Sequence, residues 1–275
     1  MCLTRKETAA KASLKENNML IHESLIYGPV HSRRLGTSLG INLLPANGKR
    51  CSFDCIYCEC GLNKDGQTRA PFPSAETVRS AIEQRVFELK NTGTALDTIT
   101  FAGSGEPTMH PAFKEIITET IALRNRLVPQ AKISVLSNAV HIAKPTVFEA
   151  LQTVDRAILK LDSALDASVR LINRPCTDSY SVAEQVKHFK RFHGAFTLQT
   201  MFLRGEVAGK KIDNTTEQEV AAWLAILAEL RPREVMIYTL DRKTPVNGLE
   251  KIPLEVLQNI AEHVQRLNIK TIVAG

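Results

Sequence analysis

The sequence predicts an α/β protein built as a partial, TIM-like (β/α)6 barrel. Three observations lead there. Short apolar runs alternate with longer segments of helical period, which implies a parallel sheet with helical crossovers. Polar residues collect just beyond one run after another, as they do on the catalytic rim of a barrel. The first run is not followed by the Gly-x-Gly-x-x-Gly turn of a dinucleotide-binding sheet, which weakens the open, doubly wound alternative.

Strands are expected at 38–44, 98–101, 132–136, 156–161, 195–203 and 234–240, with a short extra C-terminal strand at 270–273. Helices are expected at 75–89, 112–127, 144–151, 179–192, 216–230 and 254–267. Ile82, Val86 and Leu89 keep the 3/4 spacing of one buried helix face, and Val220, Leu224, Leu227 and Leu230 keep that of another. Thr215 or Thr216 is placed to cap the fifth helix, and Pro253 precedes the sixth. Residues 1–18 are polar and read as an N-terminal extension. Residues 19–275 read as a single domain, with a long loop at 45–60.

Composition removes several function classes. Apolar residues form 44% of the chain and charged residues 23%, which argues against disorder or a rod. No apolar stretch is long enough to span a bilayer, and 1–20 lacks the apolar centre of a signal peptide, so a cytoplasmic protein without membrane partners is expected. A formal charge of +6 is mild and permits an anionic substrate without requiring nucleic acid.

Four of the six cysteines, Cys51, Cys55, Cys58 and Cys60, fall within ten residues. A disulfide scaffold would spread them along a shorter exported chain, so the cluster reads as metal-binding or catalytic. The spacing C-x3-C-x2-C lets three thiolates face one centre, and thiolates select zinc or an iron–sulfur cluster. Structural zinc wants four ligands and usually paired C-x2-C knuckles, and only one C-x2-C is present. A four-iron cluster on three cysteines would leave one iron free. Buried, inert cysteines remain the bland alternative. Cys60, two residues past Cys58, reads as a neighbouring thiol.

Cys51-Ser-Phe-Asp-Cys55-Ile-Tyr57-Cys58 after the first strand, with Gly103-Ser-Gly-Glu-Pro107 after the second, resembles the radical S-adenosylmethionine (radical SAM) superfamily. The resemblance implies that Cys51, Cys55 and Cys58 hold a [4Fe-4S] cluster whose open iron chelates SAM. It implies an Fe–S oxidoreductase-like enzyme that reductively cleaves SAM to a 5′-deoxyadenosyl radical, which abstracts hydrogen from a substrate. A reducing donor of flavodoxin or ferredoxin type is implied as partner. The substrate stays open among small molecule, peptide and tRNA. Tyr27–Gly36, Gly103–His110 and Tyr238–Arg242 are also similar to a small branch near the enzymes that build wyosine in tRNA. Those enzymes carry a second cluster on further N-terminal cysteines, and here only Cys2 stands there, with Cys176 far downstream.

The resemblance makes Gly103, Ser104, Gly105 and Glu106 contacts of the SAM amine, with Tyr57 beside the ligand on the open iron. Each also has an ordinary reading: Glu106 as a helix-capping carboxylate, Tyr57 as a core ring. Ser137 with Asn138, and Asp162 with Ser163, end the third and fourth strands, where they can bond ribose hydroxyls or the methionyl carboxylate. Arg204 and Arg242 sit after later strands and suit a carboxylate or phosphate if they face a cavity. Tyr238 either stacks on adenine or fills the core. His31, Arg33 and Arg34 precede the first strand, in a position to cover the cavity. No catalytic residue is assigned beyond the cofactor ligands. A cluster-bearing electron carrier and a zinc-stabilised binding module are the readings from other classes.

Overall fold

A computed structural model describes residues 21–275 apart from Gln67, so the expected extension 1–18, Cys2 included, lies outside the described residues. The described chain opens with a hairpin. β1 (Ile26–Ser32) pairs antiparallel with β2 (Gly36–Ile41), from Ile26 opposite Ile41 to Ser32 opposite Gly36. From β2 onward the sheet is parallel. It continues through β3 (Thr98–Phe101), β4 (Lys132–Ser137), β5 (Arg156–Lys160) and β6 (Thr197–Met201). A small antiparallel sheet interrupts here, made of β7 (Leu203–Val207), β8 (Lys210–Asp213) and β10 (Leu249–Lys251). The main sheet resumes with β9 (Glu234–Tyr238) and closes with β11 (Lys270–Ala274), in the order β1-β2-β3-β4-β5-β6-β9-β11. The extra C-terminal strand is therefore present.

Period-two alternation explains the two faces of this sheet. In β3, Ile99 and Phe101 join the large core shared with the helices, while Thr98 and Thr100 face the other way. Those inner hydroxyls pair across strands: Ser38 with Thr100 at 2.8 Å and Thr98 with Ser134 at 2.9 Å. Buried hydroxyls need such partners, and here each supplies the other's. Farther round, Leu136, Ile158, Met236 and Ile272 from β4, β5, β9 and β11 meet Leu35 of the hairpin turn in a separate apolar cluster.

The sheet is curled. Arg33, at the turn of the first hairpin, donates to the carbonyl of Gly275 at 2.9 Å and pairs with Asp241 at 3.1 Å. The β1–β2 hairpin and the end of β11 are at opposite ends of the strand order, so this contact is made only if the edges approach each other. Among the described strands no ladder joins β1 to β11. The result is a half-barrel flanked by helices, as expected from the sequence.

The helices are α1 (Ala75–Asn91), α2 (Phe113–Leu127), α3 (Pro145–Thr153), α4 (Asp166–Ile172), α5 (Val182–Lys190), α6 (Glu217–Leu230) and α7 (Leu254–Arg266). Val78, Ile82, Val86 and Leu89 form the buried stripe of α1, and Leu257, Ile260, Ala261 and Val264 that of α7. Ser74, Ser181 and Thr216 cap α1, α5 and α6 by accepting from the backbone N–H three residues on. Thr216 is thus the cap of α6, while Thr215 bonds Asp213.

Two expectations are corrected. The sixth strand ends at Met201, and Arg204 lies inside β7 rather than at a turn on the rim. Asn214 makes the jump from β6 to β7 feasible. Its amide donates to the carbonyls of Asp162 (2.7 Å) and Met201 (2.8 Å) and accepts from the N–H of Leu203 (2.9 Å). All three backbone groups are buried with it. Asn214→Leu strands them, at a cost of about 1–3 kcal/mol for each polar group left unpaired. Chemical denaturation should therefore show Asn214→Leu losing at least about 2 kcal/mol of unfolding free energy; a loss within experimental error would remove Asn214 as the clasp.

Candidate active site

The cysteine loop is wrapped around a buried cation. Lys49 is fully buried, and its ammonium donates to the carbonyl of Gly61 (2.7 Å) and to Asp54 (3.3 Å). Asp54 in turn accepts from the N–H of Asn63 at 2.6 Å, which turns the chain after Cys60 back over the lysine. Burial works against the charge of Lys49, yet Cys58, Cys51, Cys55 and Asp54 together hold the ammonium above the ordinary lysine range. Phe53 and Ile56, almost wholly buried, are the apolar pins of the loop.

Three other segments fix that loop. Arg50 donates its N–H to Ser104 O (2.9 Å) and accepts from Glu106 N–H (3.0 Å). This makes a short parallel bridge between Arg50 and Gly105. A Cβ on Gly105, whose φ is +144°, would stand 1.8 Å from the Arg50 carbonyl, so only glycine admits the contact. Gly103 is similar, for a Cβ there would meet Asn42 Oδ1 at 2.3 Å. On the far side, Asp54 and Ile56 donate to the carbonyls of Asn173 and Ile172, and Cys176 N–H donates to Ser52 O. The end of α4 thus grips the loop from below.

Cys51, Cys55 and Cys58 border one cavity of about 330 Å³, together with Tyr57, Gly103, Gly105, Ser137, Asn138 and Tyr238. Nine of the residues singled out from the sequence are thereby brought together. Lys160, Gln199, Met201 and Arg34 also border it, and the sequence reading gave none of them a place in the cofactor site.

Other expected contacts face elsewhere. The Glu106 carboxylate is buried, and both oxygens are used. One accepts from Thr108 N–H (3.0 Å), Thr108 Oγ1 (2.5 Å) and Ser137 Oγ (2.8 Å), the other from Asn138 N–H (2.7 Å). Burial pushes its pKa up, against the pull of those donors. Glu106 does not border the cavity. It ties the end of β4 to the turn after β3. Ser104 accepts from His22 N–H, and Ser163 donates to Glu219 at the start of α6. Arg204 borders no part of the cavity, and Arg242 pairs with Glu59 at 2.6 Å beside it.

Asp162 lies just behind the wall. It accepts from the Tyr57 hydroxyl, from Asn173 Nδ2 (2.6 Å) and from Met201 N–H (2.9 Å). Lys160 donates to the hydroxyls of Tyr57 (2.8 Å) and Tyr238 (3.0 Å) and lies 3.7 Å from Asp162. Desolvation opposes its charge, but Asp162, Tyr238 and Cys55 outweigh it and hold the ammonium above the usual range.

Two amides reach the sulfurs. Asn173 Nδ2 lies 3.4 Å from Cys55 Sγ and Asn138 Nδ2 3.6 Å from Cys51 Sγ. Burial pushes the Cys55 thiol up to about 11, while Cys58 is lowered to about 6 by the adjacent Cys60 and by Lys49. Cys60 Sγ sits 3.6 Å from the Gly103 carbonyl, and its own pKa is raised.

Among the described residues no three Cys, His, Asp or Glu side chains form a set for a single metal ion. The donors on this wall suit a cluster better, because each cysteine of a cubane binds a different iron and the sulfurs need not converge on a point. N–H donors on two sulfurs and a buried ammonium whose charge is felt by all three also match an anionic, thiolate-rich group.

Comparison with known proteins decides the family. The profile described as Radical SAM superfamily matches residues 48–217, well over half the chain. The chain belongs to the radical SAM superfamily. It is a radical SAM, Fe–S oxidoreductase-like enzyme. A UPF0026 protein of Methanocaldococcus jannaschii is 31% identical over 242 residues, 86% of this chain and 70% of that one. A Brachyspira hyodysenteriae protein named GTPase Obg is 29% identical over 247 residues, which are 88% of this chain but only 34% of that longer one. No Gly-x4-Gly-Lys-Ser/Thr phosphate loop occurs in the present sequence.

Solved structures agree on the fold. A radical SAM methyltransferase from Sphaerobacter thermophilus superposes with TM-score 0.65 at 14% identity, over 86% of this chain and 65% of that one. A TYW1 structure with a lysine–pyruvate adduct gives 0.58 at 14%, over 96% and 82%. None of the described helices is long and apolar enough to cross a membrane.

Asn173 is the joint of this wall, since one amide serves Cys55, Tyr57 and Asp162. Asn173→Ala should lower stability by about 1–3 kcal/mol in urea unfolding, the cost of a buried partner lost. Asn173→Asp, which sets a second carboxylate against Asp162, should lose more; the reverse ranking would show that the amide is not what Asp162 requires.

Proposed function

We propose that this radical SAM enzyme binds a [4Fe-4S] cluster through Cys51, Cys55 and Cys58 and places SAM in the cavity beside them. The reading is carried by one observation: the three thiols and the Gly103–Gly105 turn face the same cavity, locked together by the Arg50–Gly105 bridge. When bound, the reduced cluster and SAM supply methionine and a 5′-deoxyadenosyl radical, which takes a hydrogen atom from a substrate carbon.

The chain's own residues bind, orient and shield. Gly103 and Gly105 border the cavity through their backbone, and their missing Cβ atoms let Asn42 and Arg50 close in from the other side. Asn138, fixed from behind by Glu106 through its backbone N–H, holds its side-chain amide at Cys51, while Ser137 borders the cavity with its hydroxyl bonded to Glu106. Lys160 stands across the cavity as a fixed cation and suits the methionyl carboxylate. Tyr57 is held by Asp162 and Lys160, so its ring stays beside Cys58 as a rigid wall. Cys60 also borders the cavity, 3.6 Å from the Gly103 carbonyl, and remains a thiol outside the ligand set. The electron comes from a small reducing protein of flavodoxin or ferredoxin type.

Anaerobic reconstitution should give about four irons per chain, the content of one such cluster. Replacing Cys51, Cys55 or Cys58 by Ala should abolish this, and Cys60→Ala and Cys176→Ala should not. Loss of iron in a folded Cys60→Ala protein would show that the ligand set is wrong.

The reduced, reconstituted enzyme should convert SAM to 5′-deoxyadenosine and methionine, quantified by chromatography. The Cys55→Ala protein should form neither. A full, reducible cluster that leaves SAM intact across reductants would overturn the reading.

A further inference from the structure

The cavity at the cysteines is continuous with a second chamber of about 520 Å³ inside the curled sheet. The two share Tyr27, Arg34, Tyr57, Met201 and Tyr238 as lining. Ser38 and Thr100 of the inner hydroxyl ladder border the second chamber, and none of the cysteines does. Its volume falls in the range of small-molecule sites.

The charges around this chamber do not balance. Three arginines border it, Arg33, Arg34 and Arg242, against two carboxylates, Glu59 and Asp241. Arg33 is paired with Asp241 at 3.1 Å and Arg242 with Glu59 at 2.6 Å. Arg34 has no carboxylate among the described residues, and its Nη1 is buried without a hydrogen-bond partner there. Its guanidinium lies 4.5 Å over the ring of Tyr238, which orients the group but satisfies none of its N–H bonds. A buried guanidinium donor without an acceptor is costly, and a bidentate oxyanion is the partner its fork fits.

We propose that Arg34 receives the anionic group, a carboxylate or a phosphate monoester, of a small substrate held in this chamber; the assignment rests on the radical SAM reading of the adjoining cavity. Leu35, Leu136, Met201 and Leu240 give the chamber apolar wall for the carbon body of that substrate. Arg34 lines both chambers, so a molecule anchored there lies at the opening between them. The specificity is for a small acid.

Three probes that share one aromatic ring separate charge from shape: benzoate, phenyl phosphate and neutral benzyl alcohol. Each is titrated into the reconstituted, SAM-loaded protein and followed by saturation-transfer NMR. At least one of the two anions should bind saturably and more tightly than the alcohol, and the tighter one tells whether the substrate is a carboxylate or a phosphate. Arg34→Gln should weaken that anion by about tenfold or more, the loss expected for a charged hydrogen-bonding partner. Arg34→Lys, which keeps the charge without the fork, should fall between. Iron content and melting temperature report whether each variant is folded, and if the Gln variant is not, the Lys variant decides by the same weakening. No saturable anion binding, equal binding of the alcohol, or undiminished binding in a folded Arg34 variant would overturn the proposal. SAM cleavage is measured on the same wild-type sample. Anion binding that depends on Arg34 without any cleavage would retain the chamber and sink the reaction. Cleavage with anion binding indifferent to Arg34 would do the opposite.

Discussion

The contact on which the rest of the site depends is between two backbones. Arg50 immediately precedes the first cysteine, and Gly105 lies in the turn after β3. Two hydrogen bonds join them, and the missing Cβ of Gly105 sets how closely they approach. The cysteine loop and the turn after β3 take their mutual position from this junction. One side leads through Lys49 to the folded cysteine loop, the other through Glu106 to Ser137 and Asn138 on the next strand. Secondary structure brings strand ends to one rim, and this bridge turns a rim into a cavity.

The wall is rich in buried charge, and each charge has a specific answer. Lys49 is answered by Asp54 and by the thiols, Lys160 by Asp162 and two phenols, Glu106 by four donors. Desolvation in such a place is offset only when partners are fixed beforehand. Rigidity follows, because moving any one of these groups leaves another without its partner. For a site that must keep water from a reactive species, a stiff and fully bonded wall is well suited.

The elements that could be read from sequence are those whose signal is local. The parallel strands and their helices carry periodicity, and the three cysteines with Tyr57 stand within eight residues. What escaped is written over long separations. Asn173 reaches Cys55 across 118 positions, and nothing around it distinguishes it from any residue that ends a helix. Lys160 left a trace, as a cation ending the apolar run Ala157–Leu159 on the face of Ile158, though Arg156 at the other end of the strand reads the same way. Ala208-Gly209, both with positive φ, mark the tight turn between β7 and β8, and an X-Gly pair at that point is a hairpin signal. Glu106 was found but its aim was not, since Thr108, Ser137 and Asn138 turn it away from the cavity.

Trp223, the one tryptophan of the chain, is buried on α6, with its indole N–H donating to Thr200 at 3.1 Å and its ring against Phe202. Thr200 lies on β6 between Gln199 and Met201, which border the cavity from the opposite face of that strand. The indole is therefore a native optical reporter, one strand's thickness behind the site. Its emission tracks any displacement of β6 as the cavity fills, without a label and without competition from a second tryptophan.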